Sequence, residues 1–366
     1  MDPNSLISFA QVLLVVIFLL VSVNLYLVFR LKEIDPFAKW NPHIINANLF
    51  FLFLIGGLIA AYVSTDVWAD KFVFMNNPAS AHGAEIDRMM WNSLMVAVIA
   101  SVLTNILLFY YAWKYRYKEG RKALFYPHNN KLEVVWTIVP AVVLTLLIFD
   151  GVGVWHDTMS DLTEEELEEA VVYEVNGKQF GWTVRYPGQD QTLGEANVSY
   201  INEATGNDIG VNYADPEAQD DLIVQEIHLP VNRQALMKIR SRDVLHSATI
   251  AHFRVKMDAV PGMPTSFKFT PTVTTAEMRE RTGDPEFNYE MSCQQICGGG
   301  HWNMRRVIVV ESEEEYQAWL AEQKPYYDVW KTLASAEEVE AAEVARLAAQ
   351  KEAQAEADQE VAMANE

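Results

Sequence analysis

Four runs within the first 156 residues are long and apolar enough to cross a bilayer, and they restrict this chain more than any other feature. A hydrocarbon core takes about 20 mostly apolar residues in helical form. Backbone inside it must satisfy its own hydrogen bonds, so helices are expected there. The runs are 6–29, 44–63, 91–113 and 134–155. The second contains Asn46, Asn48 and the pair Gly56–Gly57; the fourth contains Pro140 and, near its far end, Asp150. The first is read as a span and not a secretory signal, because its leader, MDPNS, is acidic and the run has full spanning length. Basic loops mark the cytoplasmic side. Loop 30–43 carries Arg30, Lys32 and Lys39, and loop 114–131 carries Lys114, Arg116, Lys118, Arg121, Lys122 and Lys131. The expectation is four spans, with both termini and the whole second half on the outer side.

Charge divides the chain at the same place. Residues 1–156 hold 11 Lys and Arg against 10 Asp and Glu, whereas 157–366 hold 17 against 39. An ordinary soluble globular protein is excluded. Nucleic acid is excluded as a partner too, since phosphate binding needs clustered basic residues. After an acidic stretch at 161–169, short β-type runs broken by turns are expected at 171–175, 182–186, 222–229, 234–240, 247–257, 266–271, 289–292 and 304–310. Together with the helices this predicts an α+β membrane protein whose outer domain is a Greek-key β-barrel or sandwich. The polar insertion 188–219 is read as a surface excursion. Segment 312–333 alternates acids with Tyr and Trp and is expected to pack helix back on the domain. Segment 334–366, with 12 Ala and nine acids, is expected to be an exposed or frayed helix. The resulting division is 1–65 (two helices), 66–156 (a helix pair), 157–312 (the outer β domain) and 313–366 (the acidic extension).

The run Cys293-Gln-Gln-Ile-Cys297-Gly-Gly-Gly-His301-Trp-Asn-Met304 places two thiols, an imidazole and a thioether within twelve residues. Soft sulfur and imidazole donors suit copper or zinc, and a weak Met ligand favours copper. Two sulfurs four residues apart are able to bridge a pair of ions, each of which needs a terminal imidazole. His301 supplies one. His246, 47 residues before Cys293 at a strand-to-loop junction, is the best source of the other. His252 reads as a strand residue and His228 as the end of a separate β run. A reversible disulfide between the cysteines is the competing reading, but it leaves His301, Met304 and the three glycines unexplained.

With Asp243-Val-Leu-His246-Ser upstream, this pattern resembles the dinuclear copper (CuA) site of cytochrome c oxidase subunit II. Three more segments are similar: Lys256-Met-Asp258-Ala-Val-Pro261-Gly262, Gln179-Phe180-Gly181-Trp182, and Leu132-Glu133-Val-Val-Trp136-Thr-Ile-Val-Pro140. The resemblance covers about residues 85–312. It implies a cupredoxin-like domain on two transmembrane helices, here the third and fourth. It implies copper held by the side chains of His246, Cys293, Cys297, His301 and Met304 and by the backbone carbonyl of Gln295. It further implies one-electron relay from cytochrome c, or an equivalent haem donor, to haem in subunit I, where oxygen is reduced with proton pumping. Glu133 falls at the family's entrance to a proton-uptake path. A bacterial inner membrane and partnership with subunit I and other oxidase subunits follow from the same resemblance. The alternative is a membrane-anchored copper chaperone or assembly protein.

Three departures from the family pattern stand out. Gln295 replaces the usual Glu, whose carboxylate also holds Mg²⁺ or Mn²⁺ at the subunit I boundary; a neutral amide is a weaker ligand for a hard cation. Phe180 occupies the place of the electron-entry Trp, so Trp182 or a neighbouring aromatic is expected to mark the docking face. Two extra N-terminal helices precede the usual pair and offer contact to another subunit or respiratory complex.

Overall fold

The computed structural model describes residues 3–32, 41–72, 77–348 and 351. Lys39 of the first basic loop and residues 352–366 of the acidic extension lie outside them. The chain divides into two compact units, Met1–Asp66 with Ala97–His128, and Val67–Val96 with Asn129–Glu366.

Among the described residues, four helices are long and apolar enough to span a membrane: α1 (Pro3–Leu31), α2 (Pro42–Trp68), α3 (Gly83–Lys114) and α4 (Asn130–Met159). Two of the polar residues inside these runs are held by partners on a neighbouring helix. In the first unit, Asn48 of α2 accepts from Trp113 Nε1 of α3 at 3.2 Å, beside edge-on Phe51 and Trp113 rings. In the second unit, Asp150 of α4 takes a bidentate bond from Arg88 of α3 at 2.9 and 3.0 Å. Ionisable groups at membrane depth survive by such pairing.

The second unit carries the β domain. After a short helix α5 (Glu164–Glu169), closed by a Thr163–Glu166 capping box, come ten strands: β1 (Val171–Lys178), β2 (Gly181–Tyr186), β3 (Leu222–Val224), β4 (Ile227–Pro230), β5 (Ala235–Ser241), β6 (His246–Ile250), β7 (Val255–Ala259), β8 (Thr265–Phe269), β9 (Tyr289–Cys293) and β10 (Arg305–Glu311). They form two five-stranded sheets, β3-β2-β1-β5-β8 and β4-β10-β9-β6-β7. The β1–β5 and β4–β10 pairs are parallel and the others antiparallel. Trp182, Tyr173, Tyr186, Tyr289, Phe253 and Met291 fill the core.

Two expected strands divide. Run 222–229 breaks between β3 and β4, which belong to different sheets. Run 247–257 breaks at a one-turn 3₁₀ helix, Ala251–Phe253, so His252 is a turn residue and not a strand residue. Its ring packs edge-on to Phe287 and Tyr289. The turn receives the chain leading into α3. Ser80 Oγ donates to Phe253 O at 2.7 Å, Ala79 N to His252 O at 2.8 Å, and Arg254 clasps Asp87 of α3 at 2.7 and 2.9 Å.

Helices α6 (Thr275–Thr282), α7 (Glu313–Glu322) and α8 (Tyr326–Leu333) flank the sheets. Tyr316 and Trp319 of α7 pack on the main core, as expected of segment 312–333. The expectation for 188–219 needs correction. Ile209, Val211, Tyr213 and Ala218 form a second core with Tyr327 and Trp330 of α8 and with Ala342, on a helix α9 over 336–348. The Asn207 amide holds this turn-rich chain in place, donating to Val211 O at 2.8 Å and to Tyr200 O at 3.0 Å and accepting from Val211 N. Polar composition concealed the core, because its few large apolar residues are scattered among turn residues.

Candidate metal centre

Three chain segments meet at one end of the sandwich. Strand β6 begins at His246, β9 ends at Cys293, and the loop between β9 and β10 brings Cys297, His301 and Met304 back to them. Pairing of β6 with β9 sets Ala248 opposite Cys293, which fixes His246 and Cys293 as neighbours despite 47 residues of separation. His246 Nδ1 lies 3.9 Å from Cys293 Sγ. The two sulfurs are 4.0 Å apart. Cys297 Sγ lies 3.6 Å from His301 Nδ1 and 3.3 Å from Met304 Sδ. The Gln295 carbonyl oxygen is 3.2 Å from Cys293 Sγ, while its side chain is exposed. All six donor atoms singled out from the sequence therefore stand around the cysteine pair. Both thiols are free and buried. Burial, with Cys293 as neighbour, pushes the Cys297 thiol up to about 11, so a cation is needed to hold this sulfur as thiolate.

The imidazole is fixed from behind. Its Nε2 lies 2.8 Å from Asp243 Oδ1, leaving Nδ1 for the sulfurs, the usual arrangement behind a metal-binding histidine. Burial opposes charge on Asp243, but hydrogen bonds from Gln179 N–H, His246 and Val244 N–H hold its carboxyl below the ordinary value. His246 itself is fully buried. Gly177 of β1 passes so close that a Cβ there would come within 2.9 Å of the His246 ring and of Trp182.

The β1–β2 turn covers the ligand loop. Gln179 Nε2 donates to Cys297 O at 2.6 Å. Phe180 lies flat against the glycine run: a Cβ on Gly300 would sit 2.5 Å from its ring, and one on Gly298 2.8 Å. Gly298 also has φ +139°, a conformation that only glycine adopts freely. Two of the three glycines, Gly298 and Gly300, are thus explained by the aromatic ring above them, whereas nothing lies within 4 Å of a Cβ at Gly299.

Trp182 does not lie on a docking face. It is 0% exposed, edge-on to His246 at 5.8 Å, with its indole N–H unpartnered. Strand alternation sends it inward, whereas Phe180, in the turn, is 44% exposed. Trp302, which the sequence reading left without a role, is 74% exposed; it sits in the 3₁₀ turn His301–Asn303, where its neighbours His301 and Met304 take the ligand-facing positions. His228 is remote from the sulfurs, paired with Glu311 at 2.8 Å and stacked on Trp319. Glu133 is exposed in the first turn of α4, with one oxygen 3.4 Å from the backbone N of the cap residue Asn129.

Known proteins are similar to this chain in both its membrane and its β portions. The family model for the transmembrane domain of cytochrome c oxidase subunit II matches residues 68–152, and that for its periplasmic domain matches 171–312. The alternative cytochrome c oxidase subunit 2 of Bradyrhizobium diazoefficiens is 35% identical over 232 residues, covering 62% of this chain and 76% of that one. Cytochrome c oxidase subunit 2 of Cereibacter sphaeroides is 29% identical over 241 residues, covering 62% and 72%. The periplasmic domain of subunit II of cytochrome oxidase from Bradyrhizobium japonicum is similar at 20% identity and a TM-score of 0.28, covering 45% of this chain and 96% of that one. Two domain matches in the expected order and a relative of this similarity place the chain: it belongs to the cytochrome c oxidase subunit II family, membrane-anchored subunits of an oxidoreductase complex with a cupredoxin-like exported domain.

Proposed function

We propose that this chain is the electron-entry subunit of a haem–copper oxidase in a bacterial inner membrane. In this reading 1–65 adds two helices to the family's pair at 66–156, 157–312 is the periplasmic copper domain, and 313–366 is an acidic extension. His246, Cys293, Cys297, His301 and Met304 hold two copper ions by side chains, and Gln295 contributes its carbonyl. Bound there, the copper pair supplies a one-electron relay between cytochrome c, or an equivalent haem donor, and haem in subunit I. The residues fit the group: two free thiols, two imidazoles and a thioether form a soft donor set suited to copper.

The chain's own part is to hold these donors still and dry. Asp243 fixes the His246 tautomer, Trp182 and the backbone of Gly177 wall off the imidazole, and buried packing limits the change in ligand position that accompanies electron transfer. Phe180 presents an aromatic surface beside the loop. The surplus of acids in 157–366 suits a basic donor, mainly by raising its association rate. Gln295 offers a hard cation only a neutral amide, so a second ion at the subunit I boundary is not part of this reading.

The convergence of four further donor atoms on the Cys293 and Cys297 sulfurs carries the proposal. Metal analysis of the full chain should find two copper ions, with the near-infrared absorption of a mixed-valence pair. Cys297→Ser should abolish that absorption and stop oxidation of cytochrome c by the assembled oxidase. Retention of either by the variant, or failure of the unsubstituted chain to take up copper, refutes the assignment.

A further inference from the structure

We propose that Gln179 is a positioning residue that braces the two halves of the metal centre against each other, so that neither half can move alone. This rests on the copper reading above. The donors fall into two groups from distant parts of the chain. His246 stands at the start of β6; Cys297, His301 and Met304 stand in the loop before β10. Between side chains the groups meet through Cys293, at the loose separations of 3.9 and 4.0 Å; on that side the backbone also joins them, Cys293 N to Met304 O and Gln294 N to Ser247 O, each at 3.0 Å.

Gln179 closes the other side. Its backbone N–H donates to Asp243 Oδ2 at 2.7 Å, and Asp243 Oδ1 lies 2.8 Å from His246 Nε2. Its side-chain amide donates to Cys297 O at 2.6 Å. The result is a ring: Cys293, His246, Asp243, Gln179, Cys297 and back to Cys293. Three of its links are short hydrogen bonds, and one residue contributes two of them. Asn at this position has one methylene fewer with which to reach Cys297 O; Glu carries no amide N–H to donate to that carbonyl. The turn that bears Gln179 is itself secured at Lys178, which pairs with Asp208 of the insertion, and Arg242, next to Asp243, pairs with Glu203 of the same insertion. Both ends of the brace are thus tied to the same outer layer.

Loss of an outer hydrogen bond to a metal ligand typically weakens metal retention roughly 10–100-fold. The test uses the full-length chain in detergent, loaded with copper, and reads copper loss to a competing chelator, the near-infrared band and the reduction potential. Gln179→Leu and Asp243→Ala should each speed copper loss by about that factor and displace the band and the potential. Because both substitutions open one ring, the double variant should be no worse than the worse single variant. Fold-changes that multiply in the double variant overturn the brace, as does a Gln179→Leu chain whose band, potential and copper loss match the unsubstituted chain. If Gln179→Leu does not fold, Gln179→Glu serves in its place, with the same two outcomes. Failure of the unsubstituted chain to bind two copper ions strikes instead at the function proposed above, so the two failures are distinct.

Discussion

Replacing Gly177 with alanine probes the wall behind His246 with a single methyl group. Gly177 lies in β1, paired with Trp182 on one side and Ser241 on the other, and its φ is not positive, so alanine brings no backbone strain there. The whole effect is steric. The new Cβ would stand 2.9 Å from His246 Cδ2, 3.1 Å from its Cγ and 2.9 Å from Trp182 Cζ3. Both rings are fully buried, so neither can swing into solvent. Overpacking of this kind costs about 1–3 kcal/mol, equivalent to roughly 5- to 150-fold faster opening of the strands around it. Hydrogen exchange at the β1 and β6 amides of the metal-free chain reads that opening, and the near-infrared band of the copper-loaded chain reads the displaced imidazole. Gly181→Ala, in the same hairpin, is the control: nothing lies within 4 Å of its Cβ position, so its effect should stay within about 0.5 kcal/mol. Equal exchange in the Gly177 and Gly181 variants, with an unmoved band, would show that the imidazole has room and that the wall has no part in holding it.

Two further outcomes follow from the same geometry. Burial drives the Asp221 carboxyl from 3.8 up to about 7, against the lowering effect of Arg185 and of the Gly194 N–H; the Arg185 guanidinium pairs with both Asp221 and Glu174 at 2.9 Å. The folded chain keeps this proton between pH 4 and 7 while the unfolded chain releases it, so the contribution is fully present below about pH 4. It is lost as pH rises through 7, by up to about 4 kcal/mol. Exchange protection of β2 and β3 should therefore fall between pH 4 and 7 and lose that slope in Asp221→Asn; an unchanged slope in the variant would sink the argument. Glu133→Gln tests the proton-uptake role that the family resemblance implies for Glu133: turnover and proton pumping by the assembled oxidase should both fall, whereas unaltered pumping would leave Glu133 as a helix-start acid suited to the macrodipole.

The apolar helices and the donor-rich loop were legible in sequence because both are written locally. Twenty apolar residues declare a membrane helix wherever they occur, and Cys293, Cys297, His301 and Met304 fall within twelve residues of one another. The polar insertion misled because its core has no local pattern. Tyr213 meets Trp330 at 4.7 Å across more than a hundred residues, and although α8 buries one face, the turn-rich insertion that meets it has no regular apolar face of its own.

The sequence by itself determined what kinds of atoms the site would offer and on which half of the chain they would lie. Tertiary structure decided which of them touch. It buried Trp182 and left Phe180 at the surface, since strand alternation and a turn give adjacent aromatics opposite environments. It recruited Gln179, 64 residues from Asp243 and 118 from Cys297, and it put glycine at 177, where the backbone of one strand runs against a ring on another. Such contacts depend on the pairing of β1 with β5 and of β6 with β9, and strand pairing of that range is settled only when the whole sandwich closes on its core.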